Sequence, residues 1–203
     1  MNFGLLRVLN DDVVSGGQGF GKHPHENMEI ISIPLSGDLK HEDSMGNKTV
    51  IREGEIQVMS AGTGIFHSEY NANKEQAVEF LQIWIFPRSQ DIPPRYDQTE
   101  LNDLHLANTL HQVLSPNPSD QGVWIHQDAW FHIGTFNEGI ETVYPIKKEG
   151  NGIYAFVLEG SFDINGQRLE KRDALGIWET LELSIRSLDL NSRLLLIDVP
   201  MAF

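Results

Sequence analysis

Short extended runs punctuated by glycine, with no sustained helical periodicity, restrict this chain more than any other feature. Between residues 22 and 87 the β-like runs fall at 28–33, 38–41, 48–51, 55–59 and 77–86, separated by Gly37, Met45-Gly46-Asn47, Gly54 and Gly62-Thr63-Gly64. That spacing predicts an antiparallel barrel or sandwich. Residues 88–120 change character: Pro93-Pro94, Pro116 and Pro118 sit among polar residues without alternation. This stretch reads as a connection, with a short helix expected near 101–114. The β pattern resumes at 123–125, 129–133, 152–158, 161–164 and 193–198, with Glu159-Gly160-Ser161 and Asn165-Gly166 as hairpin turns. The expectation is all-β, with an N-terminal unit over 1–95, a proline-rich connector over 96–121 and a C-terminal unit over 122–203.

The chain is long and apolar enough for one large β domain or two of ordinary size, with 203 residues of which 40% are hydrophobic. It contains no cysteine, so disulfides, thiolate ligands and cysteine nucleophiles are excluded, and any metal must be held by His, Asp, Glu or water. The net charge is -14, and basic residues cluster no further than Lys147-Lys148, which disfavours direct binding to a nucleic-acid backbone. No apolar stretch approaches the roughly 20 residues of a membrane span, and no export signal opens the chain. A cytoplasmic location is expected.

Two dyads carry the chemistry. His23-Pro24-His25 and His67-Ser68-Glu69 each place two potential ligands at i and i+2, which lie on one face of a strand. If the two strands are neighbours sharing an inward face, three imidazoles and a carboxylate converge, a donor set suited to a divalent first-row metal with open positions. Glu29 competes for the carboxylate role, because counting in twos from His25 puts Asn27, Glu29, Ile31 and Ile33 on the inward face. His41, His105, His111, His126 and His132 read as surface or satisfied core, and His41 alone merits promotion because it lies in the motif-bearing unit. The Gly62-Thr63-Gly64 run reads as a tight turn delivering His67 rather than a phosphate cradle. Phe80, Trp84 and Phe86 share one face of a strand that is apolar on both faces, as a buried strand is.

Gly17, His23, His25, Glu29 and Gly37 follow the first cupin motif, and Gly54, Gly62, His67 and Asn71 follow the second more loosely, with Ser60 where proline is usual. Gly21-Lys22-His23-Pro24-His25, the run from Gly37 to Ser44 and the run from Met59 to Glu69 resemble the pirin family, as do Leu6 to Asp12, Ile83-Trp84-Ile85 and His126-Gln127-Asp128-Ala129. Pirins usually carry a stretch before the segment matching Met1-Asn2-Phe3-Gly4, where this sequence starts. The resemblance implies two tandem cupin barrels. It implies a metal in the first, held by His23, His25, His67 and Glu69, and none in the second, and it favours Glu69 over Glu29.

It further implies a dioxygenase of the quercetin 2,3-dioxygenase type, taking a flavonol or similar enolic aromatic substrate and dioxygen. Fe(II) is the first choice of metal, with Mn, Ni, Co, Cu or Zn according to supply. Glu69 would then be both ligand and general base. The alternative is a metal-containing regulatory protein whose partner is a transcription factor or a metabolic enzyme.

Overall fold

The computed structural model describes residues 2–202, which form nineteen strands and no helix. Among the described residues, no helix is therefore long and apolar enough to cross a membrane. The all-β expectation holds, and the chain divides into two compact units.

The first unit is built on Leu6–Leu101 and Asn117–Gln127. Its strands are β1 (Leu6–Val14), β2 (Gly19–His25), β3 (Glu29–Ser36), β4 (Leu39–Asp43), β5 (Lys48–Ile51), β6 (Glu55–Ser60), β7 (Ile65–Asn71), β8 (Val78–Ile85) and β9 (Arg95–Glu100). After β10 (His111–Ser115), which belongs to the second unit, the chain returns with β11 (Val123–Trp124). One sheet runs β1-β8-β3-β6-β9 and the other β2-β7-β4-β5. Alternating residues of both sheets meet inside. Ile30, Met59, Ala61 and Ile65 form one buried apolar cluster, and Leu39, Ile51, Val78 and Phe80 form another. Each of these side chains larger than Ala61 contributes roughly 1.5–3 kcal/mol by leaving water.

The second unit contains β10, β12 (Trp130–Phe136), β13 (Glu141–Pro145), β14 (Asn151–Glu159), β15 (Phe162–Ile164), β16 (Gln167–Leu169), β17 (Ala174–Ile177), β18 (Glu182–Ser187) and β19 (Ser192–Pro200). One sheet carries the order β10-β12-β19-β14-β17 and the other β13-β18-β15-β16. Phe136, Phe162, Ile153, Val157, Leu194 and Leu196 lead a continuous apolar core. Of the two expected hairpin turns, Asn165-Gly166 links the paired strands β15 and β16 with both residues at positive φ (49° and 80°), whereas Glu159-Gly160-Ser161 carries the chain from β14 in one sheet to β15 in the other and closes no hairpin. The Asn165-Gly166 turn has the type I′ geometry that suits a right-twisted hairpin.

Residues 96–121, expected as a connector, continue β9 and contain β10. The short helix expected near 101–114 does not form; turns and bends occupy 102–109 instead. β9 is a sheet edge whose backbone ladder, among the described strands, runs to β6 alone, so its polar run Arg95-Tyr96-Asp97-Gln98-Thr99-Glu100 need not alternate like a central strand.

Candidate metal centre

β7 lies between β2 and β4, and its residues alternate between inward and outward faces. Ile65, His67, Glu69 and Asn71 are buried, whereas Phe66 and Tyr70 are exposed. The turn before it requires glycine at position 62: φ is +48°, and a Cβ there would stand 1.9 Å from the Ile92 carbonyl oxygen.

On β2 a bulge decides which residue faces β7. Phe20 pairs with Glu69, but after a register shift His23, rather than Lys22, stands opposite His67, and His25 opposite Ile65. The same bend brings the Gly21 carbonyl oxygen within 2.8 Å of His23 Nδ1. A proton on Nδ1 serves that bond and leaves Nε2 as a lone-pair donor, the usual way a ligating imidazole is oriented. The rings of His23, His25 and His67 pack with centroids 4.4–4.9 Å apart. Their ligand atoms lie within 4.8 Å of one another.

From β4, His41 stands opposite Glu69 and Asp43 opposite His67. His41, His67 and Glu69 form a second group of converging ligand atoms, fully buried, that shares His67 with the first. His41 Nε2 lies 3.1 Å from Asp43 Oδ2, and its ring is stacked near Tyr96 at 4.9 Å. From the facing sheet, Ser32 Oγ donates to Glu69 Oε1 at 2.8 Å and Gln82 Nε2 donates to Glu69 Oε2.

Electrostatics favour the neutral form of His25, His41 and His67. Burial, reinforced by the neighbouring imidazoles, lowers His67 to about 2 and His25 to about 4. Burial also lowers His41, against the opposing pull of Asp43. Burial pushes the Glu69 carboxyl up to about 7, with the Ser32 and Gln82 hydrogen bonds acting in the other direction and Asp12 adding to the rise. Among the described residues, His25 Nε2, His41 Nδ1 and both nitrogens of His67 are buried without a hydrogen-bond partner. A folded protein rarely buries so many bare acceptors in one place, and a cation would satisfy them. The residues therefore fit a divalent transition metal by donor type, protonation state and convergence.

The structure brings the ligand atoms of His23, His25 and His67 into one group, and places Glu69 with His41 and His67 in the adjoining group that shares His67. It does not bring Glu29 there, which corrects the inward-face count. Asn27 adopts positive φ (47°) between β2 and β3, and the alternation restarts on the other parity. Ser32 thus faces Glu69, while Glu29 takes a hydrogen bond from Ser60 Oγ at 2.7 Å and pairs with His126 Nδ1 at 3.2 Å. Ser32, Gln82 and Asp43 were not read as site residues from sequence. A signal was present for two of them: each is a lone polar letter in an apolar strand, Ile31-Ser32-Ile33 and Leu81-Gln82-Ile83. His132 lies in the second unit, buried beside Tyr144.

A cavity of about 630 Å³ opens beside His25, bounded by Pro24, Glu26, Thr63, Ile65 and Phe66. Its size falls in the ordinary range for small-ligand sites.

Two antiparallel β units, the first enclosing a histidine and carboxylate cluster, define an all-β protein of two cupin domains. Residues 2–85 match the family model for pirin, and residues 112–199 match that for the quercetinase C-terminal cupin domain. The chain belongs to the pirin family. It is 41% identical to the quercetin 2,3-dioxygenase of Escherichia coli K12 over 98% of its own length and 84% of that protein. It is 36% identical to a pirin-like protein of Caulobacter vibrioides, with the same coverages. The crystal structure of the bacterial pirin YhhW from Escherichia coli in complex with nickel(II) superposes with a TM-score of 0.91 at 40% identity, covering 98% of this chain and 84% of that one.

Proposed function

We propose that this protein is a metal-dependent dioxygenase of the quercetin 2,3-dioxygenase type, acting on a flavonol or a similar enolic aromatic compound. The observation that carries the reading is the pair of ligand groups His23, His25, His67 and His41, His67, Glu69, joined through His67 and holding buried bare nitrogens, with a cavity beside His25. These four residues would hold a divalent metal, Fe(II) as first choice, with Mn, Ni, Co, Cu or Zn as substitutes. When bound, the ion supplies a Lewis acid that lowers the pKa of an enolic oxygen.

The chain's own residues do the rest. Glu69 takes the enolic proton onto its carboxylate, a task suited to a carboxyl that burial has pushed up to about 7. Ser32 and Gln82 hold its two oxygens in place. Neutral His25 and His67 keep their lone pairs available at neutral pH. Phe66, Ile65 and Pro24 offer apolar surface to an aromatic ring at the cavity wall. The quercetin 2,3-dioxygenase relative supports this reading through its name.

Oxygen uptake with quercetin, measured on protein of known metal content, tests it. Turnover should vanish in His67→Ala and Glu69→Ala while circular dichroism shows the fold intact. Full metal occupancy without turnover on a panel of flavonols and other enediol-like compounds would instead favour a metal-containing regulator with a protein partner.

A further inference from the structure

We propose that Gln82, fixed in one amide orientation by Trp84, is the positioning residue that sets how strongly Glu69 serves the metal centre. The proposal rests on the ligand reading above and deepens it.

Gln82 stands on β8 directly opposite Ser32 on β3. Each oxygen of Glu69 receives one donor, Ser32 Oγ on Oε1 and Gln82 Nε2 on Oε2. A glutamine amide can turn over, and a turned amide would aim its oxygen at the carboxylate and repel it. Trp84 prevents this. Its indole Nε1–H can only donate, and it lies 3.1 Å from Gln82 Oε1. The amide oxygen is thereby held toward the indole and the amide nitrogen toward Glu69.

The Trp84 ring also stands edge-on to His25, with centroids 4.8 Å apart and planes at 81°. One connected set of side chains, Glu69, Gln82, Trp84 and His25, thus joins the carboxylate to an imidazole of the same centre. Gln82 is nearly buried, in a strand whose neighbours Leu81 and Ile83 are fully so. A polar residue at such a position is stable only if its amide is used. Groups that orient metal ligands in this way typically govern affinity by about 10–100-fold.

The experiment is a titration of metal-free protein with Co(II), following the visible absorption bands of the bound ion and obtaining the Kd by chelator competition. The wild type, Gln82→Leu, Trp84→Phe, the double variant and His67→Ala are compared. Gln82→Leu should weaken Co(II) binding by about 10–100-fold and alter the absorption bands. Trp84→Phe keeps a ring against His25 but frees the amide to turn, so it should weaken binding by a smaller factor. The double variant should bind no more weakly than Gln82→Leu alone, because the indole acts through the amide.

An affinity for Gln82→Leu within about twofold of wild type, or losses that add in the double variant, would overturn the proposal. Should Gln82→Leu fail to fold, Trp84→Phe decides: unchanged affinity and bands overturn the proposal. His67→Ala binding Co(II) as tightly as wild type would sink the ligand reading instead, which keeps the two failures apart.

Discussion

His67 faces His23 across the β2–β7 pair with ring centroids 4.4 Å apart, and neither nitrogen of His67 finds a hydrogen-bond partner among the described residues. An unsatisfied buried polar group costs roughly 1–3 kcal/mol. The metal-free protein therefore carries a penalty at this position that an apolar side chain would remove. His67→Leu should make the metal-free protein more stable than metal-free wild type, by about 1–2 kcal/mol in urea unfolding with chelator present. Equal or lower stability would show that the ring is satisfied in solution.

Metal should stabilise the wild type by mass action. Adding Ni(II) or Co(II) to chelated protein should raise the Tm in scanning calorimetry, with a gain of about 2.7 kcal/mol when free metal reaches about 100 times the Kd. The same addition to His67→Leu should leave the Tm unmoved. A wild-type transition insensitive to metal would remove the basis for the centre.

The two candidate carboxylates separate by substitution. Glu29 is tied to Ser60 and His126, and Glu69 to Ser32 and Gln82. Glu29→Gln should leave metal content and affinity at wild-type values while lowering the unfolding midpoint. Glu69→Gln should reduce affinity and abolish turnover. Metal analysis of both proteins after gel filtration distinguishes them, and loss of metal from Glu29→Gln would reverse the assignment.

Acid should destabilise the metal-free protein. Burial lowers His25 to about 4, His132 to about 3 and His67 to about 2, all below the ordinary value of 6.5. Below pH 6.5 the unfolded chain binds protons that the folded chain refuses, so stability falls as pH drops through that window. Glu69, raised to about 7 from 4.5, acts oppositely between those two values, so the net loss steepens below about pH 4.5. His132→Leu removes one of these rings without touching the metal centre. Its stability should fall less steeply than wild type between about pH 6 and 4, by about 1.4 kcal/mol per pH unit. Parallel pH profiles would mean that His132 already titrates normally.

The fold class was legible because central strands are buried on both faces and write themselves as apolar runs, as in Phe80 to Phe86. Strands at sheet edges were harder to read. β1 reads Leu-Arg-Val-Leu-Asn-Asp-Asp and β9 reads Arg-Tyr-Asp-Gln-Thr-Glu, and neither alternates cleanly since only one side of each is hydrogen-bonded to a neighbour. The dyads were legible because a two-residue period survives any turn chemistry at the ends of a strand. What sequence could not supply was parity across an interruption: one residue at positive φ sends Glu29 to the opposite face from the one that a count from His25 assigns. The bulge that chooses His23 over Lys22, and the amide and hydroxyl that grip Glu69, depend on pairings between strands distant in sequence.

The left-handed twist at Asn27 acts as a selector. Its amide nitrogen donates to the Gly62 carbonyl oxygen at 2.9 Å, and its side chain exchanges hydrogen bonds with Asp91. Those contacts anchor the crossing from one sheet to the other on the very turn that launches β7. A single backbone dihedral thereby turns Glu29 away from the imidazoles of the centre and leaves it to fasten Ser60 and His126.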